Sequence, residues 1–256
     1  MLTDRVVVVT GGAGLLGTAF ARAIAEQGAT AVIATRDQEN AAKVRDEIEG
    51  GGVRGAVALQ ALDITDEASV TGAFSALHDT YGRIDAVVNN ALPRNANYGR
   101  KLEEVTLADF VQNVGSHLGG YFVVCREAVK YFTQQGHGTI VNLGSIYGVV
   151  TPRFELYAGT PMTKEIEYFV SKAAIVEMTA YLAAYCKGRN IRVNSLSPGG
   201  VLDGQPEPFV TRYNEQCLSK GMLAPEDVVG TLLFLLSGAS RYVNGQNIVV
   251  DDGFVL

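Results

Sequence analysis

The strongest constraint on this chain is an alternation. Short β-branched runs are separated by longer stretches with helical spacing, and the pattern continues from Val6 to Val250. Val6–Thr10, Thr30–Thr35, Ala56–Leu62, Ala86–Asn89, Thr139–Leu143, Ile191–Leu196 and Asn247–Val250 read as strands. Leu15–Gln27, Gln38–Glu49, Asp66–Tyr81, Leu107–Thr133, Lys164–Cys186 and Pro225–Leu236 read as helices, the third stopped by Gly82 and the last started by proline. Strands joined by helices of this length form parallel βαβ units whose sheet is covered on both faces. The unbroken valines of the first strand suit that double burial. The expectation is an α/β, doubly wound single domain over residues 1–256, with no internal boundary.

Composition excludes several alternatives. The net charge of −6 argues against nucleic acid or anionic membranes as partners. No apolar run approaches the ~18 residues of a membrane span. Cys125, Cys186 and Cys217 are scattered, odd in number and in no metal spacing, which fits reduced thiols in a cytoplasmic protein and no metal site. Glycine is in excess, 29 of 256 residues.

Part of that excess lies in Thr10-Gly11-Gly12-Ala13-Gly14-Leu15-Leu16-Gly17, between the first strand and the first helix. Backbone can approach a diphosphate there, and the helix N-terminus points free N–H groups at it. A glycine trio alone is a weak signal, but the strand–loop–helix context is the one dinucleotide binding requires. The second strand ends Ala34-Thr35-Arg36-Asp37, where the adenosine ribose is read. Thr35 with Arg36 favours the 2′-phosphate of NADP, while Asp37 leaves NAD open. Asp63, in Leu62-Asp63-Ile64, is placed to accept from the adenine amino group or to cap the next helix.

Tyr168 and Lys172 are four apart on a helix and share a face. The strand before that helix runs on into Gly144-Ser145, at the sheet edge that faces a cofactor crevice. An ammonium beside a phenol stabilises the phenolate and makes tyrosine a usable acid or base, and a serine hydroxyl polarises the substrate oxygen.

The glycine loop, Asn89-Asn90-Ala91, Ser145, Tyr168-Phe-Val-Ser-Lys172 and Arg192-Val-Asn-Ser-Leu-Ser-Pro198-Gly199-Gly200, in that order over the whole chain, resemble short-chain dehydrogenases/reductases. The resemblance implies a Rossmann-type fold with seven parallel strands, an NAD(P) cofactor and a homodimer or homotetramer. It implies that Ser145, Tyr168 and Lys172 are catalytic, and that Lys172 also holds the nicotinamide ribose. Gly11, Gly14, Leu16, Gly17, Ile64 and Ala91 then line the cofactor, Asn89 sits beside its adenosine half, and Pro198 with Gly199 lines the nicotinamide side.

Some positions depart from the family. Glycines at 11, 14 and 17 are spaced as in its longer, sugar-nucleotide branch, and Leu92 stands where glycine is usual. The family's fourth catalytic residue, an asparagine that holds a helix kink and a proton-relaying water, is replaced by His117. That histidine is either a substitute relay or a structural residue.

Ser145 and Tyr168 are further apart than is usual in the family, so the stretch 147–167 contains an insertion that must hang over the site. Arg153, Tyr157, Thr160, Thr163 and Lys164 in it, with Arg94 from the loop after the fourth strand, can bind hydroxyls and an anion. The alternative is packing or an oligomer contact. With Gly204–Phe209 and Asp251-Asp252-Gly253, the insertion is similar to dehydrogenases of bacterial flagellin-glycan and nonulosonic-acid biosynthesis, which implies a sugar or sugar phosphate. The function expected is NAD(P)-dependent hydride transfer to or from a secondary alcohol or ketone of such a compound. A 3-oxoacyl thioester reductase and a non-catalytic NAD(P)-binding sensor are the alternatives.

Overall fold

The computed structural model describes residues 1–256. Its seven strands are β1 (Val6–Thr10), β2 (Thr30–Thr35), β3 (Ala56–Ala61), β4 (Ala86–Asn89), β5 (Gly138–Leu143), β6 (Ile191–Pro198) and β7 (Asn247–Val250). They form one parallel sheet in the order β3-β2-β1-β4-β5-β6-β7. The order reverses between β1 and β4, so a crevice opens beyond the carboxyl ends of those strands.

The helices are α1 (Leu15–Glu26), α2 (Gln38–Gly50), α3 (Glu67–Tyr81), α4 (Leu107–Val114), α5 (Gly120–Gln135), α6 (Ile166–Tyr185), α7 (Glu207–Asn214) and α8 (Pro225–Leu236). Strand parity decides what each covers. Val6 and Val8 of β1 pack with α3, α5 and α6, while Val7 and Val9 pack with α1, α2 and α8. Asp37, Asp66 and Thr106 accept hydrogen bonds from the first-turn amides of α2, α3 and α4, each contributing about 1 kcal/mol.

Beyond other shifts of a residue or two at element ends, the observed elements differ from the expected ones at three places. The single helix expected over 107–133 is α4 and α5 joined by a π-helical segment, Gly115–Gly119. Hydrophobic spacing runs through it without a break, because one widened turn shifts the register by a single residue. α7 is unanticipated: it is short and buries only Phe209 and Tyr213. β6 continues two residues further, to Pro198.

A third apolar cluster stands apart from the two that sandwich the sheet. Ile146, Tyr147, Leu156, Tyr157, Phe209, Tyr213, Met222 and Phe254 pack together, bringing the stretch 147–167, α7 and the last residues into one roof. No helix is long and apolar enough to cross a membrane.

Candidate active site

The glycine loop is built by close approach. Gly11 has φ 62°, and a Cβ there would lie 2.9 Å from the Ala91 Cα. A Cβ on Gly17 would collide with the Gly11 carbonyl oxygen. Gly14 is different: its nearest neighbour would be that same oxygen at 3.4 Å, so its missing side chain leaves open space rather than relieving a clash. Gly14 is also the N-cap of α1, with no side-chain cap and no acid in the first turn. The amides of Leu15, Leu16 and Gly17 have no protein partner. Free N–H groups at the positive end of a helix, in a groove without side chains, fit the diphosphate of a dinucleotide. Thr10 Oγ1 accepts from the amides of Asn90 and Ala91 at 3.0 and 3.2 Å, which ties the end of β4 to this loop.

Beside the loop lies a cavity of about 170 Å³ bordered by Gly11, Thr35, Arg36, Asp63, Ile64 and Ala91. Arg36 pairs with Asp63 at 3.5 Å. Burial pushes the Asp63 carboxyl up, but donors from Thr65 and the Arg36 charge outweigh it and hold the group below its ordinary value. Asp63 does not cap a helix; Asp66 caps α3. Asp37 is committed elsewhere, since its carboxylate caps α2 through the Asn40 amide at 3.0 Å.

The expectation for Asn89 needs correction. Its side chain is wholly buried and donates to Asn142 Oδ1 at 2.9 Å and Cys125 Sγ at 3.2 Å, beneath the crevice rather than in it. Strand parity turns it inward, and Asn90 faces the crevice in its place, donating to the carbonyls of Thr10 and Gly11.

A second cavity, about 320 Å³, continues from there. Leu16, Asn90, Ser145, Tyr168, Lys172, Pro198 and Gly199 all border it. The sequence-predicted trio is therefore brought to one wall, beside the far end of the glycine loop. β5 delivers Ser145, whose Oγ accepts from the Tyr147 amide at 3.2 Å. α6 delivers the other two. Lys172 Nζ donates to the Leu143 carbonyl at 2.6 Å and lies 5.4 Å from the centre of the Tyr168 ring. Burial, and then the nearby charge of Lys164, push the Lys172 ammonium down to about 7.

His117 sits in the π-helical segment, 2% exposed, between the two tyrosine rings: 5.2 Å from Tyr121 and 6.3 Å from Tyr168, centre to centre. Burial and the Lys172 charge drive its proton affinity well below the usual value, so the ring is neutral. Its Nε2 has no hydrogen-bond partner.

The stretch 147–167 reaches the site through only some of the residues expected to do so. Tyr157 borders the 320 Å³ cavity, its hydroxyl 2.9 Å from that of Tyr147, and Thr163 and Lys164 border it too. Arg153 does not. It donates to Gln216 at 2.8 Å and lies over the Phe254 ring at 4.7 Å. Thr160 bonds back to the Tyr157 carbonyl. Arg94 is exposed, over the Tyr98 ring at 5.7 Å, and borders neither cavity. Tyr213, which residue type alone did not single out, accepts from the Gly200 amide at 2.6 Å and sets the backbone next to Pro198-Gly199.

The largest cavity, about 850 Å³, opens at the opposite edge of the sheet, among Arg5, Asp85 and Arg192. Those guanidiniums already bond backbone carbonyls, such as those of Leu236 and Leu235, so this groove reads as strand-end packing rather than a reaction site.

A parallel sheet of this order, a glycine loop and a Ser–Tyr–Lys wall define a nicotinamide-dependent oxidoreductase. Residues 12–255 match the family model described as enoyl-(acyl carrier protein) reductase. The chain is 38% identical to a Post-translational flagellin modification protein A of Campylobacter coli, covering all of both proteins. It is 34% identical to a 3-oxoacyl-[acyl-carrier-protein] reductase FabG of Thermotoga maritima, covering all of this chain and 99% of the relative. A short-chain dehydrogenase of Leptospira borgpetersenii, solved with bound NAD+, superposes with a TM-score of 0.86 at 28% identity, covering all of this chain and 94% of that one. The chain belongs to the short-chain dehydrogenase/reductase family. It is an oxidoreductase of that family and uses NAD or NADP.

Proposed function

We propose that this enzyme transfers a hydride between a bound nicotinamide and a secondary alcohol or ketone of a sugar or sugar phosphate. The observation that carries the reading is the common wall of Ser145, Tyr168 and Lys172 in a cavity that runs on to Leu16 and Pro198-Gly199. Gly11, Gly14, Leu16 and Gly17 would hold the diphosphate, with Thr35, Arg36, Asp63, Ile64 and Ala91 around the adenosine and Lys172, Pro198 and Gly199 at the nicotinamide ribose and ring. The cofactor, when bound, supplies or accepts the hydride.

The chain's own part is the proton. In the oxidative direction Tyr168 takes the proton of the substrate hydroxyl as the carbinol carbon loses hydride; in reduction it returns the proton to the forming alkoxide. Ser145 Oγ orients that oxygen, and its placement by the Tyr147 amide keeps the hydroxyl proton free to donate. Lys172 is held on the Leu143 carbonyl, with its Nζ 5.4 Å from the centre of the Tyr168 ring. His117, neutral and with Nε2 unpaired beside Tyr121, is suited to hold a water that passes the proton onward. NADP is the cofactor we favour over NAD, since Asp37 caps α2 while Arg36 borders the cavity beside the glycine loop, where it pairs with Asp63.

The polar stretch 147–167 supports a hydroxylated substrate. The likeness to a 3-oxoacyl reductase supports a thioester instead. A panel of sugars, sugar phosphates and acetoacetyl thioesters, followed by nicotinamide absorbance with each cofactor, separates them. Turnover of the thioesters alone overturns the proposal. Tyr168→Phe is expected to lower kcat by at least 10³-fold while the dissociation constant of the cofactor, measured by calorimetry, stays within a few-fold. Surviving turnover removes Tyr168 from the chemistry.

A further inference from the structure

One cation in the site is accounted for by none of these roles. Lys164, near the end of the stretch 147–167, has its Nζ 4.2 Å from the centre of the Tyr168 ring and 5.3 Å from that of Tyr147. Its side chain is 19% exposed and borders the 320 Å³ cavity. Apart from Lys172, held on the Leu143 carbonyl, it is the cavity's only cationic side chain. Arg94 and Arg153 do not border this cavity. Burial works against the Lys164 charge, yet Tyr168, Glu165 and Tyr147 together hold its proton affinity above the ordinary value. It is thus a fixed cation at neutral pH, whereas Lys172 titrates near 7.

A half-buried ammonium is a costly thing to place against a tyrosine that handles protons, and its Glu165 partner, at 3.2 Å, borders the same cavity. An ammonium has three donors, and the two aromatic faces satisfy no lone-pair geometry. Lys164 borders the same cavity as Ser145 and Tyr168, and its one charged partner is Glu165.

We infer that Lys164 is a specificity-determining residue that binds an anionic group of the substrate, a carboxylate or a phosphate, carried close to the carbon that undergoes hydride transfer. The inference rests on the oxidoreductase reading above and narrows its substrate to acidic or phosphorylated polyols. Neutral sugars, lacking the anion, leave the ammonium desolvated with Glu165 as its only charged partner, and the enzyme discriminates against them through that cost.

Matched pairs test this: an aldonic acid against the corresponding alditol, and a hexose phosphate against the free hexose, each with wild type, Lys164→Gln and Lys164→Arg. The anionic member of one pair is expected to have at least tenfold higher kcat/KM in wild type. Which pair shows the preference tells carboxylate from phosphate. Lys164→Gln is expected to shrink that ratio at least tenfold, mostly through KM, and Lys164→Arg to keep most of it. A ratio unchanged in Lys164→Gln overturns the inference, because the lysine then acts on Tyr168 and not on the substrate. So does a wild type that prefers the neutral members.

A binding arm separates this from failure of the oxidoreductase reading. Thermal unfolding of wild type and Lys164→Gln is followed with acetate and with inorganic phosphate at equal ionic strength. The difference between the two proteins cancels anion binding at the glycine loop. A stabilisation lost in Lys164→Gln supports the inference even if no member of the panel turns over, a result that would sink only the proposed reaction. Equal stabilisation of both proteins by both anions overturns it.

Discussion

At the scale of single residues, Lys172 links stability to function. Its proton affinity in the folded protein is pushed to about 7 by burial and by Lys164, against ~10.4 in an unfolded chain. Between those values the unfolded chain binds more protons, so this residue's contribution to stability rises with pH from about 7 to ~10.4. Below 7 both states carry the charge and its burial cost is fully present. Lys172→Met is therefore expected to gain stability over wild type at pH 6, on the order of a few kcal/mol, and to lose most of that gain by pH 10. Urea melts of the cofactor-free proteins at the two pH values measure it; an equal margin at both refutes the titration. Arg36 gives a second test at this scale. Its charge-assisted contact to a 2′-phosphate is of the class that contributes ~1.5–3 kcal/mol, so Arg36→Ala is expected to raise KM for NADP by roughly 10- to 100-fold and to move KM for NAD only a few-fold. Comparable losses with both cofactors would remove Arg36 from that recognition.

At the scale of elements, the π-helical segment Gly115–Gly119 matters most. It seats His117 between α4 and α5, against Tyr121 and near Tyr168. Relay and packing roles predict different variants. His117→Asn is expected to keep kcat within several-fold, since an amide can hold the same water, whereas His117→Leu, which packs but cannot hydrogen-bond, is expected to lower kcat by ~10²-fold with the cofactor KM unchanged. Equal kcat in both variants would make the residue structural. This segment also marks where the sequence stopped being informative. Seven strands and six helices are legible because a residue's partners within an element lie two, three or four positions away. The widened turn breaks no hydrophobic spacing, and α7 has two buried anchors only, Phe209 and Tyr213. The site divides the same way. Ser145, Tyr168 and Lys172 follow from one helix face and one strand end. Asn89 and Asn90 differ only in parity at the end of β4, and the sequence cannot say which one turns inward. Arg153 finds Gln216 and Phe254, partners that no local pattern places beside it.

For the whole molecule, the separation of the roof from the two sheet cores is the governing fact. Phe254 stacks on Tyr213 at 4.3 Å with the rings 11° apart, and Arg153 covers its other side. Tyr213 in turn holds the Gly200 amide. The final residues thus brace the backbone beside the reaction site and the inserted stretch at once. Phe254→Ala is expected to destabilise the protein by ~3–5 kcal/mol, and to raise KM for the substrate more than KM for the cofactor. Denaturant melts and steady-state kinetics read the two effects, and an equal rise in both constants would mean that the roof is not confined to the substrate side. The consequence reaches beyond this one enzyme. The substrate preference proposed for Lys164, lodged in a roof of three distant segments, would be inherited as a set. Transplanting residues 147–167 alone into a related scaffold will bring Lys164 without the ring stack and the Tyr213 tether that support the roof around it. Recombination or design that moves the preference has to carry 147–167, α7 and the closing residues together, while the glycine loop and its helices stay behind untouched.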